Sequence, residues 1–201
     1  MEATTFLLQK KHYILKDNIY LRAVNVKDLE RVDQITSVVN SAFVTNAGWT
    51  SISSLINGDK VTPGDIKALI LETIDYERTK TQLLCAFERH PTKIKNGNNT
   101  NYDDYKEKEV DNESVIGTYL IKGGRTKFPA SAQRTDQLEN EIGDSECYYD
   151  LYCILPSYQS QGLGGKLQRA GSLYARDVLG YESAIMWAFE NRTPELLACS
   201  D

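Results

Sequence analysis

Between Ile154 and Leu167 the chain reads Ile-Leu-Pro-Ser-Tyr-Gln-Ser-Gln-Gly-Leu-Gly-Gly-Lys-Leu, and here its residue types and spacing could do chemistry. An apolar run stops at Pro156, which has no N–H and cannot continue a central strand. A polar turn follows, then an amphipathic stretch entered through Gly162, Gly164 and Gly165. The first N–H groups of a helix have no intrahelical partner, and its dipole adds partial positive charge there. Glycines let the backbone approach whatever those groups hold. Strand, glycine-rich turn and helix start, in that order, make a cradle for phosphate. The N–H groups from Gln161 through Leu163 to Gly165 would line it, and Lys166 and Arg169 are near enough to add positive charge or else form a solvated helix face. A Walker loop does not fit, because Gly165-Lys166-Leu167 lacks the hydroxyl that would meet magnesium. A dinucleotide fingerprint does not fit either, since only two of the glycines fall at its spacing.

The elements that must position this cradle are legible around it. Cys147 to Leu155 reads as a central strand, with Tyr148, Asp150, Tyr152 and Ile154 expected on one face and Tyr149, Leu151, Cys153 and Leu155 on the other. Leu163, Leu167, Ala170, Tyr174 and Val178 form the stripe of the following helix, which Gly180 ends. Ser183 to Phe189 is a further buried strand. Upstream, Tyr13 to Ala23 is expected to form one strand, and Asn25 to cap a helix whose stripe runs Leu29, Val32, Ile35, Thr36, Val39, Ala42 and Phe43. Thr62 and Pro63 open a second helix carrying Ile66, Leu69, Ile70 and Ile74. Gln82–Phe87 and Ser114–Lys122 are paired strands. Between them, residues 92–113 are rich in Asn, Asp, Lys and Glu, a composition that cannot offset its ordering entropy and reads as a flexible insertion. Residues 123–146 form a second long loop, expected to cover part of the substrate side.

The chain has 201 residues, enough for one domain and few for two, so 1–201 is expected to be a single domain. Its net charge of −5, with both signs interspersed, speaks against a nucleic-acid surface. Four cysteines without C-x-x-C pairing and two histidines give no zinc or disulfide framework. No long apolar run or signal-peptide core is present, so no membrane partner and a cytoplasmic location are expected.

Gln159-Ser160-Gln161-Gly162-Leu163-Gly164, preceded by Ile154-Leu155-Pro156 and Tyr158, resembles the acetyl-CoA loop of the GNAT acetyltransferase superfamily. Arg22-Ala23 resembles the family's opening, Ile116-Gly117 its "Ile-Gly" strand, and Ala47-Gly48-Trp49-Thr50 with Asn57-Gly58-Asp59-Lys60 the helix-1 to helix-2 segment of a small-molecule branch. The resemblance implies an α/β fold, a GNAT-like mixed and mostly antiparallel central sheet flanked by helices, here lacking the usual last two strands. It implies acetyl-CoA as cosubstrate and transfer of the acetyl group to an amine, most simply of a small molecule, by direct attack. The main chain of Ile154 and Leu155 would pair with the pantetheine arm, which Asn191 would also contact, and Gln159, Ser160 and Gln161 through Lys166 would hold the pyrophosphate. Asp150 is either the base or a strand-end acceptor, Tyr152 an acid or a packing ring, and Trp49 a wall of the acceptor site or a core residue. The early end leaves an uncovered sheet edge that invites pairing with a second copy. It also keeps a second reading open, a non-catalytic acyl-CoA-binding or truncated acetyltransferase-like protein.

Overall fold

A computed structural model describes residues 12–44, 58–90, 112–123 and 143–186. The expected insertion and second loop, Trp49, Asn191 and the chain's end lie for the most part outside the described residues. Six strands form one sheet in the order of the chain: β1 (Tyr13–Lys16), β2 (Ile19–Ala23), β3 (Thr81–Arg89), β4 (Glu113–Gly123), β5 (Glu146–Ile154) and β6 (Ser183–Met186). The first five pair antiparallel with one another, and β6 runs parallel to β5. That is the mixed, mostly antiparallel sheet the sequence led one to expect. The expected first strand is instead a hairpin, because Asp17-Asn18 is turn chemistry inside the run and folds Tyr13 back against Leu21. The expected insertion also ends sooner than its composition suggested. Glu113 already belongs to β4, and its carboxylate is only 12% exposed.

Helices cover both faces. After the sheet's first two strands comes a short 3-10 helix, Val26–Arg31. Its start is fixed by Asn25, whose Oδ1 accepts from the Lys27 N–H (2.9 Å), and by Asp28, whose Oδ2 accepts from the Asn25 N–H (2.8 Å). It leads into α1 (Val32–Phe43), and α2 (Pro63–Ile74) follows under a Thr62–Asp65 capping box. A single turn, α3 (Tyr76–Thr79), was hidden in the sequence by its shortness. The apolar stripes of α1 and α2 (Ile35, Val39, Ala42, Ile66, Ile70) pack on Tyr20, Leu83, Phe87, Leu120, Leu151 and Cys153. On the other face, α4 (Leu163–Asp177) sets Leu163, Leu167, Ala170 and Tyr174 against Leu21, Leu84, Ile116, Tyr119 and Ile154. Burial on both faces is why all five residues of β2 are buried.

Two further features fix this packing. Arg22 and Asp28, both buried, make a bidentate pair at 2.7 and 2.9 Å, and the guanidinium lies over the Phe87 ring at 3.8 Å. On α4, a Cβ on Gly171 would stand 2.6 Å from the Tyr119 ring, so the helix can sit this close to the sheet only through glycine. Gly171→Ala is therefore expected to lower stability, even though alanine favours a helix by about 1 kcal/mol over glycine, because overpacking costs typically ~1–3 kcal/mol. Thermal denaturation tests this; an equal or higher melting temperature would mean that α4 can slide away from Tyr119 at no cost.

Candidate functional site

The strand that leads into the cradle is not regular. Thr118 pairs with Cys153 and Leu120 with Asp150, so Leu151 and Tyr152 together oppose Tyr119. This is a β-bulge. Leu151 adopts φ 44, a conformation uncommon for a side-chain-bearing residue. The bulge overturns the expected two-residue alternation. Cys147 and Tyr149 face α4, and so do Tyr152 and Ile154, whereas Leu151 and Cys153 face α1 and α2. Asp150 sits opposite Leu120 on the α1–α2 face, beside Tyr148, so it does not share the face of Ile154 as its spacing implied. Simple periodicity could not show this, since one extra residue shifts every side chain beyond it.

Beyond the bulge the turn is closed by its own polar groups. The Leu155 N–H donates to Ile116 O (2.8 Å), and its carbonyl accepts from the Tyr158 N–H (2.9 Å). Alternate residues of an antiparallel strand send their main-chain groups to opposite edges. Leu155 thus turns toward β4 while Ile154 turns away from it, and the pair expected to act together on a ligand is divided. The Ile154 carbonyl accepts from Gln159 Nε2 (2.9 Å), and Gln161 Nε2 reaches Ser157 O (3.2 Å). Tyr158 donates its hydroxyl to Glu88 (2.6 Å), which ties the turn to β3 and holds the phenol's proton more firmly than usual.

Ser160 (φ 60) and Gly162 (φ 73) bring the chain round into α4. Gly162 is the helix cap, is exposed, and has nothing within 4 Å of the place a Cβ would take. No side chain caps this helix and its first turn carries no acid. The other two long helices differ: α2 starts in a capping box, and α1, also without a side-chain cap, continues from the capped 3-10 turn and carries Asp33 in its first turn. The Tyr152 hydroxyl donates to Gly164 O (2.7 Å), its ring meets Tyr119 edge-on, and so it fastens the first turn of α4 to β5. A cavity of about 990 Å³ lies between α4 and the strands β5 and β6, and Gly162, Gly165, Lys166, Arg169 and Arg176 line it together with Cys147, Tyr149 and Glu182. Its size admits a nucleotide-bearing ligand, and Lys166 and Arg169 suit an anionic one, whereas Arg176 is paired with Asp177 at 2.7 Å. Thr118, buried in the middle of an apolar strand, is the residue sequence reasoning passed over. Its oddity was the signal, for it donates to Leu151 O at 2.6 Å. Among the described residues no three His, Cys, Asp or Glu side chains gather as metal ligands, and no helix is long and apolar enough to cross a membrane.

No family model matches the chain, and no curated protein matches it in sequence. Solved structures do match in fold. AAC(6')-Iy, in complex with the bisubstrate analogue CoA-S-monomethyl-acetylneamine, superposes with a TM-score of 0.50 at 11% identity over 92% of this chain and 90% of its own. A predicted acetyltransferase from Clostridium acetobutylicum with acetyl-CoA gives 0.50 at 11%, over 91% and 89%. RimL, a ribosomal L7/L12 alpha-N-protein acetyltransferase, gives 0.50 at 9%, over 94% and 77%. At such identities the likeness establishes the fold.

Proposed function

The chain has the GNAT fold, and we propose that it is an N-acetyltransferase that uses acetyl-CoA. The observation that carries the reading is the uncapped glycine start of α4, set directly after the bulged end of β5 and flanked by Lys166 and Arg169. In this reading the N–H groups of the first turn of α4 hold the pyrophosphate, and Ile154 presents its main chain to the pantetheine arm. Asn191, outside the described residues, is a further contact. The amine nitrogen attacks the thioester carbonyl, the C–S bond breaks, CoA leaves as the thiolate, and the ammonium proton passes to a base. The thioester supplies the activation, so the protein's contribution is alignment and charge stabilisation. Tyr152, through Gly164, contributes by holding the cradle in place.

Direct transfer is favoured over an acyl-cysteine step. Burial pushes the Cys153 thiol up to about 11 and Cys147 to about 12. Thiolate is the nucleophilic form, and at neutral pH these thiols keep their protons. The acceptor is proposed to be an amine-bearing small molecule, and the acidic net charge of −5 favours a cationic one. Titration of acetyl-CoA by calorimetry, followed by a thiol-release screen over small amines, tests the reading. Binding with amine-dependent release is expected. Binding without release by any amine would make the chain an acyl-CoA-binding protein, and no binding by a folded chain would end the proposal.

A further inference from the structure

The bulge in β5 should leave two main-chain groups without ladder partners, and two side chains supply them. Residues inserted at a bulge fall out of register with the neighbouring strand, and buried N–H and C=O groups are costly when unpaired. Here the Leu151 N–H donates to Asp150 Oδ1 at 2.7 Å, and the Leu151 carbonyl accepts from Thr118 Oγ1 at 2.6 Å. Thr118 is fully buried in a layer otherwise made of Cys85, Leu120, Leu151 and Cys153. A hydroxyl in such a layer is unfavourable unless bonded, and this bond accounts for it. Leu151 itself is in the left-handed region, which a leucine does not adopt unaided.

We propose that Asp150 and Thr118 are positioning residues which together lock the bulge, and that the lock fixes how Tyr152 and Ile154 present their main chain at the edge of β5 away from β4. This rests on the acetyl-CoA reading above, in which that edge meets the pantetheine arm. It gives Asp150 a different task from the base its spacing implied. A base needs a lone pair aimed at the reacting amine, whereas one carboxylate oxygen of Asp150 already serves the peptide next to it. Tyr148 is its titratable neighbour on that face, and Glu72 also lies near Tyr148.

The variants that separate the two tasks are Asp150→Asn and Asp150→Ala. Asparagine keeps an oxygen that can accept from the Leu151 N–H but cannot take a proton, and alanine removes both abilities. Asp150→Asn is expected to raise the Kd for acetyl-CoA by no more than about threefold and to keep both limbs of the kcat/KM–pH profile. Asp150→Ala and Thr118→Val, each losing one of the bulge's bonds, are expected to weaken acetyl-CoA binding about tenfold, and Thr118→Ser to recover most of that loss. Failure of the unaltered chain to bind acetyl-CoA would strike the functional reading. If the unaltered chain binds, the positioning role is overturned by either of two results. One is an Asp150→Asn variant as slow as Asp150→Ala with its acidic limb gone, which would make Asp150 the base. The other is unchanged binding in Asp150→Ala or in a folded Thr118→Val.

Discussion

Gly162→Glu is expected to abolish measurable acetyl-CoA binding while leaving the melting temperature almost where it was. The two halves of that result come from different terms. Gly162 has φ 73, and any side chain there meets the left-handed penalty of roughly 1–2 kcal/mol. Nothing within 4 Å would collide with the new side chain, so no packing cost is added. A carboxylate at the head of α4 also interacts favourably with the helix dipole, by about 0.3–1 kcal/mol, which offsets much of the backbone cost. For a pyrophosphate in the cradle the same carboxylate is a like charge. At about 4 Å and an effective dielectric near 20 it costs on the order of 4 kcal/mol, or roughly a thousandfold in affinity. Gly162→Ala carries the backbone penalty without the charge and serves as the control, with a loss of no more than about tenfold. Calorimetry and a thermal melt on both variants read these terms separately. If Gly162→Glu bound acetyl-CoA within tenfold of the original chain, the cradle would have been assigned to the wrong ligand.

Asp28→Ala is expected to remove 3–5 kcal/mol of stability, on the order of what a typical domain can spare. Asp28 is 1% exposed and accepts from both terminal nitrogens of Arg22 and from the Asn25 N–H, with Arg31 at 3.6 Å. Removing it leaves the Arg22 guanidinium buried over Phe87 with only neutral partners, Ala23 O and the Tyr20 side chain, and a distant Glu113, and it undoes the cap of the turn before α1. The loss should be larger than that of the pair taken out together. Arg22→Met with Asp28→Leu replaces two desolvated charges by apolar groups, an exchange often neutral or stabilising. Urea denaturation at constant m value measures both. A double variant as unstable as Asp28→Ala would show that the helix cap, not the stranded charge, dominates.

Most of the elements were legible because their signals are local. Thr62-Pro63 opened α2 where a capping threonine and a proline at the first helical position must, and the stripe from Leu163 to Tyr174 placed α4. The turn into α4 was legible for the same reason, since Pro156 and Gly162 act through their own backbone. What could not be seen depends on partners distant in the chain. The bulge exists only because Leu151 and Tyr152 face one residue of β4, and Thr118 became meaningful only when Leu151 O appeared beside it. Asp150 was read by counting in twos along a strand that does not keep count. Gly171 looked like any small helical residue until Tyr119 stood against it.

The order of the strands has a consequence for how the chain acquires its shape. Each strand from β2 to β5 pairs with the one made just before it, so among the described residues the sheet can grow outward in the direction of synthesis, with every addition closing a connection to its immediate predecessor. β6 also pairs with its immediate predecessor, but in the opposite sense to the others. It is parallel to β5 and must wait until α4 has crossed the sheet and docked. Until α4 is in place, β5 is the outer edge of the sheet, and the bulge lies on that edge.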